Sequence, residues 1–153
     1  MLNIYAWSYN WVYIVMLVLL VIWRVLARVI RADIWKILNG IGAVVAVFLI
    51  LRFTVLGRTP SDQHQFMIMA DYTNEFYREM LMNVFLYFPL GLTLGELIGW
   101  KVILVAFVLS FGVEAWQYVA GTGSAQATDV LCNTFGALIG TVFWLWRRKE
   151  KNG

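Results

Sequence analysis

The sequence predicts an all-α, polytopic integral membrane protein of about five transmembrane helices, with the N-terminus outside and the C-terminus cytoplasmic. Three observations predict it. The chain of 153 residues is 61% hydrophobic and only 14% charged, whereas soluble domains carry roughly 25% charged residues. Its apolar residues fall into five runs, each close to the ~20 residues that a helix needs to cross hydrocarbon. The connections between the runs alternate in charge, as the positive-inside rule requires of a multi-pass chain. This length gives a single membrane domain over residues 1–153.

The first span covers 7–23 and is closed by Arg24, Arg28 and Arg31. A cleaved signal peptide carries its positive charge before the apolar run, so this segment reads as a retained span. The second span, 34–56, holds Gly40 and Gly42 near its start and Arg52 near its end. The basic connection before it, with Arg24, Arg28, Arg31 and Lys36, belongs in the cytoplasm. The next connection, 57–79, sets Asp62, Asp71, Glu75 and Glu79 against Arg58 and Arg78 and belongs outside. Within it Thr59-Pro60-Ser61-Asp62 reads as a turn, and the stretch from His64 onward reads as an amphipathic segment along the outer surface.

The third span, 80–98, contains Pro89, which has no N–H to offer the Phe85 carbonyl and predicts a kink. Only Trp100 and Lys101 separate it from the fourth span, 102–119, so these two helices are expected to be antiparallel neighbours. A small-residue loop, Ala120 to Thr128, leads to the fifth span, 129–146, which Arg147, Arg148, Lys149 and Lys151 anchor in the cytoplasm. Trp7, Tyr9, Trp11, Trp100, Trp144 and Trp146 near the span ends read as interface belts.

Several function classes drop out. The single cysteine, Cys132, lies in an apolar run and supports neither a disulfide framework nor a metal site, so no cofactor or metal is expected. The net charge of +3 comes from loop clusters rather than a basic face, which argues against a nucleic-acid partner. His64 stands alone in an outer loop and reads as a solvated or interfacial residue rather than a catalyst or ligand. There is no HExxH, no glycine-rich phosphate loop and no Ser-His-Asp set.

What stands out is polar residues inside apolar helices. Ser110, Glu114, Gln117 and Gly121 share one face of the fourth helix at i, i+4, i+7 and i+11, and Asp129, Asn133, Gly136 and Gly140 repeat that spacing on the fifth. Asn83 starts the third helix and Arg52 ends the second, so four helices offer polar groups at one depth, in the outer half of the membrane. One reading is helix glue, with Gln117 bonded to Asn133 or Glu114 paired with Arg52, contacts that average under ~1 kcal/mol. The other is a site, because an ionisable residue at a helix centre costs at least ~2.5 kcal/mol. The clustering favours a pocket of Asn83, Glu114, Gln117, Asp129, Asn133 and Arg52. Gly91-x-x-x-Gly95 and Gly136-x-x-x-Gly140 read as close-packing faces.

These residues carry a resemblance. Asn83-x-Phe85-x-x-Phe88-Pro89-x-Gly91, then Ser110 with Glu114-x-x-Gln117, then Thr128-Asp129-Val130-x-x-Asn133-Thr134-x-Gly136-x-x-x-Gly140 resemble the VanZ-like family of small bacterial membrane proteins. The match covers about sixty residues of the C-terminal half. It implies a multi-pass protein of the bacterial cytoplasmic membrane, associated with resistance to the glycopeptide antibiotic teicoplanin, and it supplies no established reaction. Carried onto this chain, the family positions are Asn83, Pro89, Gly91, Glu114, Gln117, Asp129, Asn133 and Gly136. Many relatives have an acidic residue where this chain has Gln126, which weakens a mechanism built on paired carboxylates in the last loop.

Two classes of function follow. In the first the pocket binds an envelope lipid, a peptidoglycan precursor or a lipoglycopeptide. In the second Glu114 and Asp129 act as acid and base of an intramembrane hydrolase or transferase on a lipid-linked substrate. The first is preferred, so enzyme activity is not the expectation. A structural accessory subunit is a third class, and so small a bundle also allows a homo-oligomer.

Overall fold

The computed structural model describes residues 18, 21–23, 25–26, 29–56, 58–59, 64–68 and 74–152, with the side chains of 74–75 and 146–152 excepted. Most of the expected first span, most of the 59–62 turn and the tryptophans at 7 and 11 lie outside them. Among the described residues four helices are long and apolar enough to cross a membrane. Helix α1 is Ala32–Leu51 and continues into a π-helical stretch, Arg52–Leu56. Helix α2 is Asn74–Ile98, α3 is Lys101–Ala120 and α4 is Ala127–Asn152. The four spans lie at 32–56, 76–98, 101–120 and 127–145, within a few residues of the expected ones.

Contacts group the chain into two units, Met1–Ile37 and Leu38–Gly153. In the first, the rings of Trp23 and Trp35 pack with centroids 5.3 Å apart. The second contains the polar residues of interest. Its core is Ala46, Ile50, Tyr87, Leu90, Val102, Ala106 and Ala137, drawn from all four helices. The opposite faces, for example Leu104, Val108, Val119 and Leu131, are exposed, as expected of residues whose solvent is lipid.

The tightest contact joins α2 and α4, and glycine makes it possible. A Cβ on Gly91 would overlap the Ala137 carbonyl, one on Gly136 the Val84 carbonyl, and one on Gly140 the Phe88 carbonyl. Backbone therefore lies on backbone, the arrangement small residues permit between membrane helices. Thr141 donates to the Ala137 carbonyl at 2.8 Å from the same face. Trp144 follows at i+7 from Ala137 and is buried at 9% exposure. It is a packing residue, which corrects the expectation of an interface belt at that position; Trp100 is exposed.

Helix α2 runs unbroken through Pro89, and Thr93 donates to the Pro89 carbonyl at 2.7 Å. The α2–α3 turn is as tight as the sequence requires: Gly99 takes φ 64°, and Val102 and Ile103 donate back to Gly99 and Trp100 at 3.2 and 3.1 Å.

At the other end of α3, Gly121 adopts φ 61°, with its N–H directed to the Tyr118 carbonyl and that of Thr122 to the Gln117 carbonyl. This is a Schellman stop, which needs a left-handed residue. Gly121→Ala is therefore expected to lower stability by about 1 kcal/mol and Gly121→Asn by less, as measured by thermal unfolding in detergent.

The loop after this stop is not free. Ala125–Gln126 (β2) pairs in parallel with Phe66–Met67 (β1), in the register Phe66 to Ala125 and Met67 to Gln126, and Ala125 donates to the Gln65 carbonyl at 2.9 Å. His64 is exposed, in keeping with the sequence reading, and lies 2.7 Å from the Tyr118 carbonyl through Nδ1. A carbonyl only accepts, so Nδ1 carries the proton. The segment expected to lie along the membrane surface is thus, over 64–67, joined to the α3–α4 connection. A helix end leaves carbonyls without intrahelical donors, and His64 uses one of them.

Candidate functional site

The buried polar face of α3 is as the helical spacing predicts: Ser110, Glu114 and Gln117 are 0%, 6% and 2% exposed. Their partners differ from the expected ones. Gln117 donates through Nε2 to the Thr54 carbonyl at 3.0 Å, on the π-helical stretch. Asn133 donates through Nδ2 to Ser110 Oγ at 2.8 Å. Glu114 accepts through Oε2 from the backbone N–H of Gln126 at 2.9 Å. Gln117 and Asn133 thus act as ties between helices, and the Glu114 carboxylate holds the residue just before α4. Membrane hydrogen bonds of this kind average ~0.6 kcal/mol. A double-mutant cycle of Ser110→Ala and Asn133→Ala is expected to return a coupling of about that size, read from chemical unfolding in micelles.

Against this face, the Tyr87 hydroxyl of α2 lies beside Ser110 without a hydrogen bond of good geometry, and Asn133 Oδ1 of α4 is also buried without a partner. Cys132 is buried in the α4 packing.

Two cavities open at the end of the bundle where these loops meet. The first, of about 430 Å³, is polar and is lined by Arg58, Glu79, Met82, Asn83, Thr122, Gly123, Ser124, Gln126 and Asp129. Asn83 and Asp129 face it from α2 and α4, with the amide in reach of the carboxylate. Asp129 stands in the first turn of α4, where the helix dipole favours an anion. The Arg58 guanidinium lies over Gly123, where a Cβ would come within 2.6 Å of it, and its charge reaches both Glu114 and Asp129.

The second cavity, of about 600 Å³, is an apolar groove between α3 and α4 lined by Phe66, Phe107, Phe111, Tyr118, Val130 and Leu131 among others, with Glu114 and Gln126 in its wall. Gln126 borders both spaces.

Of the six residues expected to form a pocket, the structure brings Asn83 and Asp129 to the polar cavity and Glu114 to the groove. Gln117 and Asn133 line neither of these two. Arg52 is exposed on the π-helical stretch and lines neither; the cation that does is Arg58. Arg58 and Gln126 were not legible as site residues, because they lie outside the helices and carry no helical periodicity; Glu79 stands in α2 four residues before Asn83, a spacing hidden because the sequence reading ended the outer connection at 79. The available signal for Arg58 was a cation in a connection whose balance is acidic. Among the described residues no three His, Cys, Asp or Glu side chains gather as a metal-ligand set.

Comparison with known proteins places this geometry in context. The family described as VanZ/LLP1 matches residues 10–148. Protein VanZ of Enterococcus faecium is 32% identical over 82 residues, about half of each chain, so this chain covers about half the length of that relative. No solved structure matches. The matched segment takes in all four described spans and the lining of both cavities, and the chain belongs to the VanZ/LLP1 family.

Proposed function

We propose that the polar cavity binds a component of the cell envelope at the outer leaflet of the bacterial cytoplasmic membrane: a lipid, a peptidoglycan precursor or a lipoglycopeptide. Through this binding the protein lowers sensitivity to glycopeptides such as teicoplanin, the role its family implies. The observation that carries the reading is the cavity itself, where side chains from two helices and two loops converge on one space of a size usual for ligand sites, ~300–1,000 Å³. The outer placement follows from charge. The basic clusters at 24–36 and 147–151 mark the cytoplasmic side, and the acidic connection 57–79 supplies Arg58 and Glu79 at the cavity.

Glu114 and Asp129 line different cavities, and Glu114 already accepts a backbone N–H. This supports binding over a shared acid–base pair. The test is native mass spectrometry of protein extracted with its own lipids. Wild type is expected to retain a specific envelope component, and Asn83→Ala and Asp129→Asn to lose at least tenfold of it at unchanged unfolding temperature. Equal retention by all three proteins removes the cavity as the binding site.

A further inference from the structure

The two cavities share one wall. Gln126 lines both, on the short strand β2 that divides an apolar groove from a polar space. The two spaces also meet at the first turn of α4, where Ala127 and Val130 line the groove and Asp129 the polar space. The groove offers aromatic and aliphatic side chains only, apart from Glu114, Gln126 and the Tyr118 hydroxyl. Among the described residues the polar space offers one cation, Arg58, against two carboxylates, Glu79 and Asp129, with a third, Glu114, in electrostatic reach of Asp129. That balance is negative. A simple anionic headgroup would meet one favourable and two unfavourable charges, and near hydrocarbon such terms are weakly screened.

We propose that one lipid occupies both spaces, its acyl chain in the groove at Phe107, Phe111 and Leu131 and its headgroup, a phosphodiester with a primary ammonium, in the polar cavity. The phosphate faces Arg58 and the ammonium faces Asp129 and Glu79. This rests on the binding reading above and names its ligand class. A primary ammonium donates hydrogen bonds to Asp129, Glu79 and the Asn83 amide oxygen. A quaternary ammonium has no donor and leaves those acceptors without one, so the cavity discriminates between two zwitterions of equal net charge.

The experiment adds dioleoyl phosphatidylethanolamine, phosphatidylcholine or phosphatidylglycerol to the full chain in detergent and counts retained lipid by native mass spectrometry. The ethanolamine lipid is expected to be retained at least fivefold over the other two. Asp129→Asn and Glu79→Gln are expected to reduce it to the choline level; Glu79 is exposed, so its variant folds as wild type. Leu131→Trp, on the exposed face of α4, fills the groove and should lower all three lipids together while keeping their ratio.

Retention of the glycerol lipid equal to or above the ethanolamine lipid overturns the proposal, as does a preference that survives both carboxylate substitutions or a Leu131→Trp variant that binds normally. In those cases a lipid-linked disaccharide-peptide is the control. If Asp129→Asn and Asn83→Ala still weaken its retention, the cavity binds an envelope component of another class and only the lipid assignment falls. If they do not, both readings fall.

Discussion

Gly140→Ala is expected to lower the stability of the bundle by about 3 kcal/mol, while Gly112→Ala leaves it unchanged or raises it by up to about 1 kcal/mol. The two substitutions are chemically identical and both are helical. A Cβ on Gly140 would overlap the Phe88 carbonyl and stand 2.7 Å from the Leu92 amide nitrogen. Both are backbone atoms of α2, so no side chain can swing aside; α2 and α4 have to separate. Separation also loosens Gly136 on Val84 and Gly91 on Ala137, which makes the loss larger than a single contact. A Cβ on Gly112 meets nothing within 4 Å. Reversible unfolding in mixed micelles measures both, and equal values for the two variants would mean that the helices are not in backbone contact.

The second large effect concerns Glu114. Its side chain is 6% exposed and accepts the Gln126 N–H across the α3–α4 connection. Glu114→Ala strands that donor and is expected to cost about 2 kcal/mol, within the range for an unsatisfied buried group. It should also loosen the strand between the two cavities, so ligand retention falls with stability. Glu114→Gln keeps an acceptor oxygen of the same reach and is expected to stay within about 1 kcal/mol of wild type, with retention preserved. An acid–base role predicts the same retention for Glu114→Gln, but a turnover of a lipid-linked substrate by wild type that this variant abolishes. Unfolding, retention and product analysis on the same two variants separate these outcomes.

The spans were legible because lipid imposes one rule on every position facing it, and apolar runs of fixed length record that rule. The buried face of Ser110, Glu114 and Gln117 was legible for the same reason: a polar residue in such a run has to face protein, and the helical period says which positions face together. Partners were not legible. Gln117 meets a carbonyl made available by the π-helical stretch, a backbone irregularity that RFTVL does not announce. Arg58 lines the cavity and Arg52 does not, and Phe66–Met67, from the same connection, pair with Ala125–Gln126 at its wall. That pairing joins segments about sixty residues apart and has no periodic signature. Trp144 was misread because tryptophans near a span end usually mark the interface, while its offset from Ala137 and Thr141 put it on the glycine face.

The backbone contact between α2 and α4 also governs how this protein can change over evolutionary time. Specificity of assembly resides in three glycines and the carbonyls they touch, so the aliphatic residues on the outer faces, such as Leu104, Val108 and Leu131, are free to drift among Leu, Ile, Val and Phe without altering how the helices meet. Divergent members of such a lineage would preserve a thin seam of small residues and a few loop side chains while the rest of the surface is rewritten. Sequence identity then understates structural kinship, and a search weighted towards the seam would reach further than one weighted evenly along the chain.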